Sequence, residues 1–406
     1  LRPRTLLITG AIGTFFIPAI ILLVKYNNST TIHRSLQYNP QQQLLPPLLP
    51  ESTPPLTSRH AVVHVGPPKT ATTSLQSAMT RDTSLFAQDG YFARGPFHEL
   101  AFCLNTESDH YETRCTQDVH SMIENQLAEA QNSYKHLFIS SEGFGDLEEA
   151  RINLARALRP WNDVTIIITY RRFFQWIASK YNTFFQMKKK PLHRGGKLFP
   201  SIAKYMTREQ VMQYYNHRYV NFFYEFYREQ FENVKLFNVH DVDIGYVPDF
   251  YCNIIPDATN ACNNAKRRAR EGNTGRVKNQ SSDYDYERMA RMAHRRGLLE
   301  EGMTVAMVIN NIRQRLEVEM GLSQYDLPQE CVDNETLDLI LLLSLEVEKR
   351  FFPVFFASPD GEIELRAAFE KAKQTTFCNV DVETLFMDDE WKFFFRSMRT
   401  IDSQRV

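Results

Sequence analysis

Short apolar runs alternate with amphipathic stretches from residue 61 onward. The apolar runs cover residues 61–65, 136–140, 164–170 and 234–239. Between them, apolar side chains recur with a helical period at about residues 72–79, 147–158 and 173–186. Near-continuous apolar strands separated by helices are typical of a parallel sheet that is covered on both faces. The pattern therefore predicts an α/β fold whose parallel sheet is flanked by helices.

The last third of the chain has a different pattern. After about residue 283, apolar positions recur every 3.6 residues over residues 296–320 and 335–352, and no strand-like run interrupts them. We expect one domain over residues 61–406, with a helical C-terminal part over about residues 283–406.

The first apolar run, residues 5–24, is 20 residues long and carries no charge. A helix of that length crosses a hydrocarbon core of about 30 Å. Arg2 and Arg4 precede the run and Lys25 follows it, so the positive-inside rule places the N-terminus in the cytoplasm. A cleaved signal peptide is the alternative, but its apolar core is normally about 7–15 residues long. We expect a cytoplasmic tip and membrane-spanning signal anchor in residues 1–25, followed by a Pro-rich lumenal stalk in residues 26–60.

The charge balance narrows the set of partners. The 47 Lys and Arg residues nearly match the 48 Asp and Glu residues, for a net charge of −1, which argues against a protein that coats nucleic acid. The apolar fraction of 43% is that of a globular chain. Sequons for N-glycosylation begin at Asn27, Asn28, Asn279 and Asn334, as expected of a lumenal body.

The six cysteines form no C-x-x-C pair, so a zinc ribbon or a thioredoxin-like site is disfavoured. All six lie on the expected lumenal side, where disulfides persist. Six cysteines allow about 15 pairings. The short spacings favour Cys103–Cys115 and Cys252–Cys262, which leaves Cys331–Cys378.

The first candidate site follows the strand at residues 61–65. Residues 66–74 read Gly-Pro-Pro-Lys-Thr-Ala-Thr-Thr-Ser and lead into a helix. Such a turn directs backbone N–H groups and a helix N-terminus toward one point, and Lys69 adds a positive charge that suits an anion. The alternative is that the hydroxyls only cap the helix, with Thr72 or Thr73 as the cap. The Gly-Lys pair of the Walker pattern is absent, so a nucleoside triphosphatase is disfavoured.

The second candidate site follows the strand at residues 164–170. Arg171 and Arg172 stand at its carboxyl end, and Ser179 comes eight residues after Arg171. Arginine binds phosphate oxygens with two parallel hydrogen bonds, and a serine on the next helix can add another. The alternative is a solvated arginine pair beside an ordinary helical serine. Trp176, between them, is expected to be a core residue rather than an adenine platform.

The two segments together resemble the sulfotransferases that use 3′-phosphoadenosine-5′-phosphosulfate (PAPS). The resemblance implies a P-loop-type sheet, PAPS as sulfuryl donor, and an Arg171–Ser179 site for the 3′-phosphate, with Arg172 in a supporting role. Ala71 stands where glycine is commonest in the family, so we expect a negative φ there. Arg276 and Lys278 resemble the late basic loop of some members, although a glycan at the neighbouring sequon would crowd it. The residues that would bind the 5′-phosphosulfate are Lys69, Thr70, Ala71, Thr72, Thr73 and Ser74.

Sulfuryl transfer needs no metal, but it needs a base that accepts the acceptor's proton. Glu142 follows the strand at residues 136–140 within a Ser-Ser-Glu segment like those of carbohydrate sulfotransferases, so it is the first choice. His98 and His110 are the alternatives, whereas His64 is expected to face the sheet interior. Lys69 is expected to stabilise charge on the leaving phosphate.

The combined prediction is a PAPS-dependent sulfotransferase of the Golgi membrane, single-pass and type II, that acts on a carbohydrate hydroxyl. A basic stretch in residues 188–197 suits an anionic glycan, although it is equally typical of a solvated loop. Three alternatives stay open. They are a protein-tyrosine sulfotransferase, a non-catalytic membrane-tethered protein that binds glycans, and a P-loop kinase.

Overall fold

The computed structural model describes residues 59–95, 97–106, 111–134, 136–184, 200–272 and 284–398. All of them belong to one compact unit, Leu48–Val406. The expected membrane span at residues 5–24 and nearly all of the expected stalk lie outside these ranges. Within them, no helix combines the length and the apolar character that a membrane crossing requires.

Five parallel strands form the central sheet in the order β2-β3-β1-β4-β5. The predicted strands are confirmed to within a residue at either end, whereas β2 was missed because it is a four-residue edge strand with alternating burial. Two further strands, β6 and β7, pair antiparallel in the C-terminal part. The strands are β1 His60–Gly66, β2 Tyr91–Arg94, β3 His136–Ser140, β4 Asp163–Tyr170, β5 Asn233–Asn238, β6 Gln329–Cys331 and β7 Cys378–Val380.

Helices connect the strands and cover both faces of the sheet. The π-helix Gln314–Met320 continues α15, and a short 3-10 helix, Gln324–Asp326, precedes β6. The α-helices are α1 Thr72–Arg81, α2 Thr83–Gln88, α3 His98–Cys103, α4 Tyr111–Arg114, α5 Gln117–Ser133, α6 Gly143–Asp146, α7 Glu148–Ala157, α8 Phe173–Phe184, α9 Ile202–Tyr205, α10 Arg208–Arg218, α11 Val220–Arg228, α12 Tyr246–Asn253, α13 Thr259–Arg270, α14 Tyr284–Arg295, α15 Val305–Arg313, α16 Asn334–Phe351, α17 Pro353–Phe356, α18 Pro359–Thr376, α19 Val382–Leu385 and α20 Asp389–Ser397.

Side-chain alternation along β1 divides the core between the two faces. Ala61, Val63 and Val65 pack into the larger cluster, which includes residues of α5, α7, α8, α11 and α16. Val62 points to the opposite face, into a cluster built from α1, α2, α12 and α13. Because both faces are covered, the strands are apolar almost throughout, and this explains why the sequence pattern identifies them.

The C-terminal part is largely helical, as predicted, and α16 matches the predicted helix at residues 335–352 within a residue. The expected helix over residues 296–320 is wrong at its start. Gly297 and Gly302 have positive φ values of 65° and 91°, so the chain turns there and α15 begins only at Val305. The strands β6 and β7 were also missed, because three residues are too few to show a period.

The three predicted disulfides are confirmed, because the structure joins Cys103 to Cys115, Cys252 to Cys262 and Cys331 to Cys378. The last of these links β6 to β7 at paired positions. It closes a loop that contains α16 and α18, two helices that pack against α8. The disulfide thus closes the segment whose helices pack against α8, the helix that follows β4.

Candidate functional site

The loop between β1 and α1 has an unusual backbone. Lys69 and Ala71 both adopt left-handed conformations, with φ values of 73° and 64°. Each such residue other than glycine costs about 1–2 kcal/mol. The expected negative φ at Ala71 is therefore wrong. The reason lies in the turn itself, since the carbonyl of Ala71 must already accept the first helical bonds from Ser74 and Leu75.

Hydrogen bonds from side chains hold the loop by its carbonyl groups. The peptide bonds before Lys69 and Thr70 are trans, so the N–H groups of these two residues point away from the carbonyls of Pro68 and Lys69. Successive N–H groups in such a turn make an anion-binding concavity. The three carbonyls are those of Pro67, bound by Thr70 Oγ1 at 2.6 Å; Pro68, bound by Trp176 Nε1 at 2.8 Å; and Lys69, bound by Arg171 Nη1 at 3.1 Å.

The N-terminus of α1 faces the same loop. Its N-cap is Ala71, and in the described part of the chain no side chain caps this helix, so the alternative that the hydroxyls serve only as caps is wrong. The side chain of Thr72 is buried, whereas Thr73 and Ser74 are exposed. An uncapped helix N-terminus leaves N–H donors and a partial positive charge for an anion.

The two candidate segments meet directly. Arg171 lies 102 positions after Lys69, and its guanidinium donates to the Lys69 carbonyl. Burial lowers the pKa of the half-buried Lys69 ammonium, Glu142 acts in the opposite direction, and the positive charges of Arg171 and Lys180 lower it further. Burial also lowers the pKa of Arg171, and within the described ranges no carboxylate forms a salt bridge with it.

Arg172 has a different environment from its neighbour. Its guanidinium lies 3.3 Å from Glu348 and 2.8 Å from Glu364, in α16 and α18. Glu348 is buried and also accepts a 2.7 Å hydrogen bond from the hydroxyl of Tyr170. The backbone N–H of Arg172 donates to His240. Arg172 therefore joins the sheet to the C-terminal helices. The supporting role in phosphate binding that was expected for it stays a prediction.

Glu142 approaches the loop from β3. A Cβ atom built on Gly66 would lie 3.8 Å from the Cα of Glu142, an ordinary contact distance, so Glu142 is a direct neighbour of the loop. Glycine is favoured at position 66 by its φ of 96° and by the tight 3.2 Å distance from that Cβ to the backbone N of Pro68. The alternative base His98 lies at the same sheet edge, because its Nδ1 is 3.0 Å from the hydroxyl of Ser141. His110, the other alternative, lies outside the described residues.

His64 faces the sheet interior, as predicted. Its ring lies between the hydroxyls of Ser140 on β3, at 2.7 Å, and Thr169 on β4, at 2.8 Å. Burial lowers its pKa to about 3, so the ring is neutral at physiological pH. Gln76 on α1 donates to the same Ser140 hydroxyl. This buried network holds together the ends of the three strands that carry the candidate site.

The remaining candidate residues are only partly placed. Ser179 lies on α8 and is partly buried. Arg276, Lys278 and the basic stretch at residues 188–197 lie outside the described residues. Trp176 is a core residue, as expected, since it is fully buried against Phe173 and Tyr219.

A second group of side chains at the sheet has metal-ligating chemistry. His60, His136 and Asp257 offer ligand atoms within 4.8 Å of one another. His60 and His136 begin β1 and β3, so this group lies at the amino edge, about 20 Å from the loop along a seven-residue strand. His60 Nδ1 already pairs with Asp163 at 2.9 Å, and His136 Nδ1 accepts the amide of His60. These bonds give both rings a structural role at that edge.

The residues that the sequence analysis missed lie on α8 and after β5. Trp176 was identified as core but not as a donor to the loop, and Lys180 was not considered. His240, which accepts the amide of Arg172, lies near both arginines, and burial together with their charges lowers its pKa to about 4. The spacing of four between Trp176 and Lys180, which places both on one helix face, was the only available signal. Comparisons of the chain with protein-family models, with curated proteins and with solved structures find no match.

Proposed function

We propose that this protein is a sulfotransferase that transfers the sulfuryl group of PAPS to a hydroxyl group of a carbohydrate. The observation that carries the proposal is the direct contact between the two candidate segments, in which Arg171 donates to the carbonyl of Lys69. Two cationic turns at the ends of adjacent strands β1 and β4 suit one ligand with two phosphate groups. Ligands of open parallel sheets bind at this carboxyl edge.

The loop after β1 suits the 5′-phosphosulfate. The left-handed conformations at Lys69 and Ala71, the uncapped end of α1 and the ammonium of Lys69 all favour negative charge at one point. Backbone strain that a fold keeps at a loop without glycine is typical of a ligand-binding turn.

The turn after β4 suits the 3′-phosphate. Only Nη1 of Arg171 is used by the Lys69 carbonyl, so the guanidinium retains donors for a second acceptor. Ser179 would add a hydroxyl donor from α8. Arg171 binds the loop and also faces the expected 3′-phosphate site. The groups that would bind the two ends of the cofactor are therefore neighbours.

The chemistry assigns separate tasks to the chain's own residues. The carboxylate of Glu142 accepts the proton of the acceptor hydroxyl as its oxygen bonds to sulfur, with His98 as the second candidate base. Bound PAPS would supply the sulfuryl group, and the electron pair of the broken sulfur–oxygen bond would stay on the departing phosphate. Lys69 and the loop N–H groups stabilise the negative charge that develops there.

The expected lumenal position is part of the same proposal. The 20-residue apolar run at residues 5–24 would anchor the chain as a type II protein of the Golgi membrane. Three disulfides are typical of a compartment outside the cytosol. The sequon residue Asn334 is exposed at the start of α16, which suits glycosylation.

Transfer of radiolabelled sulfate from PAPS to a panel of glycans and tyrosine peptides tests the proposal. We expect label on a glycan, no requirement for Mg²⁺, and loss of transfer in Lys69→Ala. Label on peptides alone would replace the carbohydrate acceptor by tyrosine. Binding of adenosine 3′,5′-bisphosphate without transfer to any acceptor would indicate a non-catalytic glycan-binding protein, and Mg²⁺-dependent ATP binding would indicate a kinase.

A further inference from the structure

Lys180 is a buried cation on α8, the helix from which Trp176 contacts the loop between β1 and α1. Only 8% of the surface of Lys180 is exposed to solvent. Trp176 lies one helical turn earlier, and its Nε1 donates to the carbonyl of Pro68. Residues four positions apart lie on the same face of a helix. Lys180 therefore lies on the same face of α8 as Trp176, whose indole binds the loop.

Lys69 has two positive neighbours and one negative neighbour. The ammonium of Lys180 and the guanidinium of Arg171 both lower the pKa of Lys69, and Glu142 is the carboxylate that opposes them. Electrostatic interactions are stronger where water is excluded. A bound polyanion would therefore be attracted by each of these three cations.

We propose that Lys180 binds the 5′-phosphosulfate end of the cofactor together with Lys69, whereas its neighbour Ser179 binds the 3′ end. The inference rests on the proposed function and adds a residue to it. Consecutive helical residues point about 100° apart, so neighbours on α8 can serve different ends of one ligand. Lys180 faces the side where Trp176 meets the loop, and that loop is the one expected to bind the 5′ group.

The test measures dissociation constants by calorimetry for three probes: adenosine 3′,5′-bisphosphate, adenosine 5′-phosphate and adenosine 3′-phosphate. For Lys180→Met we expect about tenfold weaker binding, equal to about 1.4 kcal/mol, of the two probes that carry a 5′-phosphate. Binding of adenosine 3′-phosphate should change by less than about twofold. Ser179→Ala should give the opposite pattern, with the loss confined to the two probes that carry a 3′-phosphate.

Two controls separate charge from fold. Lys180→Arg keeps the positive charge and should remain within about threefold of wild type for every probe. Lys371→Met removes a lysine from an exposed position on α18 and should leave all three dissociation constants unchanged. Thermal unfolding without nucleotide checks that each variant folds, and Lys180→Gln is a second neutral variant.

Each other outcome overturns the assignment. Unchanged affinities in Lys180→Met, beside a wild type that binds the bisphosphate, would remove Lys180 from the site and leave the proposed function intact. An equal loss for the 3′-phosphate probe would overturn its assignment to the 5′ end. Failure of both neutral variants to fold would assign Lys180 to the fold instead. A wild type that binds none of the probes would overturn the proposed function itself.

Discussion

The turn after β4 presents two consecutive arginines to two different regions of the molecule. Arg171 faces the loop between β1 and α1 and donates to the backbone carbonyl of Lys69. Arg172 faces the C-terminal helices, where its guanidinium meets two carboxylates and helps to bury one of them. The region around the loop contains Lys69 and Arg171 and has left-handed backbone at two residues that are not glycine. In the region around the C-terminal helices, the positive charge of Arg172 is paired with carboxylates.

This difference separates binding from stability. A buried ion pair contributes little net stability, but removing one partner leaves the other charge uncompensated. Arg171 forms one hydrogen bond to a carbonyl and no ion pair with a described carboxylate, so its charge can interact with an anionic ligand. Arg172 is therefore expected to matter for folding, and Arg171 for binding, although the two differ by one position.

The largest expected effects come from replacing each arginine by methionine. Arg172→Met leaves Glu348 buried without its partner and should lower the free energy of unfolding by about 3 kcal/mol. Arg171→Met should lower it by only about 1.5 kcal/mol, because it loses a single charge-assisted hydrogen bond to a carbonyl and no ion pair with a described carboxylate. Urea unfolding of both variants measures these values.

For ligand binding, we expect Arg171→Met to have the larger effect and Arg172→Met the smaller one. Arg171→Met should weaken binding of adenosine 3′,5′-bisphosphate about 100-fold through the loss of charge-assisted hydrogen bonds. Its effect on adenosine 5′-phosphate should be far smaller. Equal losses for the two nucleotides would show that Arg171 does not read the 3′ group. Equal destabilisation of the two variants would remove the distinction between the regions.

Lys69→Ala sharpens the comparison on the loop side. We expect turnover to fall by about 10²–10³-fold or more, since the ammonium is placed to stabilise charge on the leaving phosphate. The fold should persist, because Lys69 is half-buried and its backbone carbonyl, which Arg171 binds, remains. Sulfate transfer and circular dichroism on the same sample measure both quantities, and retained turnover would contradict the role given to Lys69.

The pH dependence of stability tests the neutral network beneath the loop. Burial lowers the pKa of His64 to about 3 from 6.5, so the unfolded chain binds one more proton than the folded chain between these values. The contribution is therefore complete above pH 6.5 and is lost as the pH falls, by about 2 kcal/mol between pH 7 and pH 5. Urea unfolding at both values of pH, for wild type and for His64→Gln, isolates this slope.

A matched control uses His217, which is exposed on α10. His217→Gln should keep the wild-type difference between pH 7 and pH 5, whereas His64→Gln should reduce it by about 2 kcal/mol. The comparison is between slopes, so a general loss of stability in His64→Gln does not affect it. Identical slopes in the two variants would mean that His64 is not held neutral by the fold.

The sheet could be predicted because its strands are buried on both faces. A continuous apolar run such as β4 can be recognised as a buried strand from the sequence. The carboxyl ends of parallel strands lie at one edge of the sheet. The meeting of Lys69 and Arg171 at that edge follows from these two facts. By contrast, β2 and the β6–β7 pair are too short to show a period, and long-range contacts decide that they form strands.

Local residue preferences could not predict the details of the site. Which arginine meets Glu348 depends on α16, a helix more than 160 positions later in the chain. The hydrogen bond from Trp176 to the loop depends on the packing of α8. The left-handed Ala71 follows from the turn into α1, where its carbonyl accepts the first helical bonds, and this outweighs the preference of alanine for negative φ.

The smallest expected effect concerns this strain. Ala71→Gly should raise the free energy of unfolding by about 0.5–1 kcal/mol, because relief of the left-handed conformation exceeds the added entropy of the unfolded chain. Ser77→Gly, at an exposed position inside α1, should lower it by about 0.5 kcal/mol. Both variants introduce glycine, one at a left-handed position and one inside a helix. If urea unfolding shows that the free energy of unfolding rises in the first and falls in the second, strain at Ala71 is the cause. If Ala71→Gly also destabilises the protein, the loop keeps its shape without cost, and the contrast between a strained binding region and a relaxed structural one loses its energetic basis.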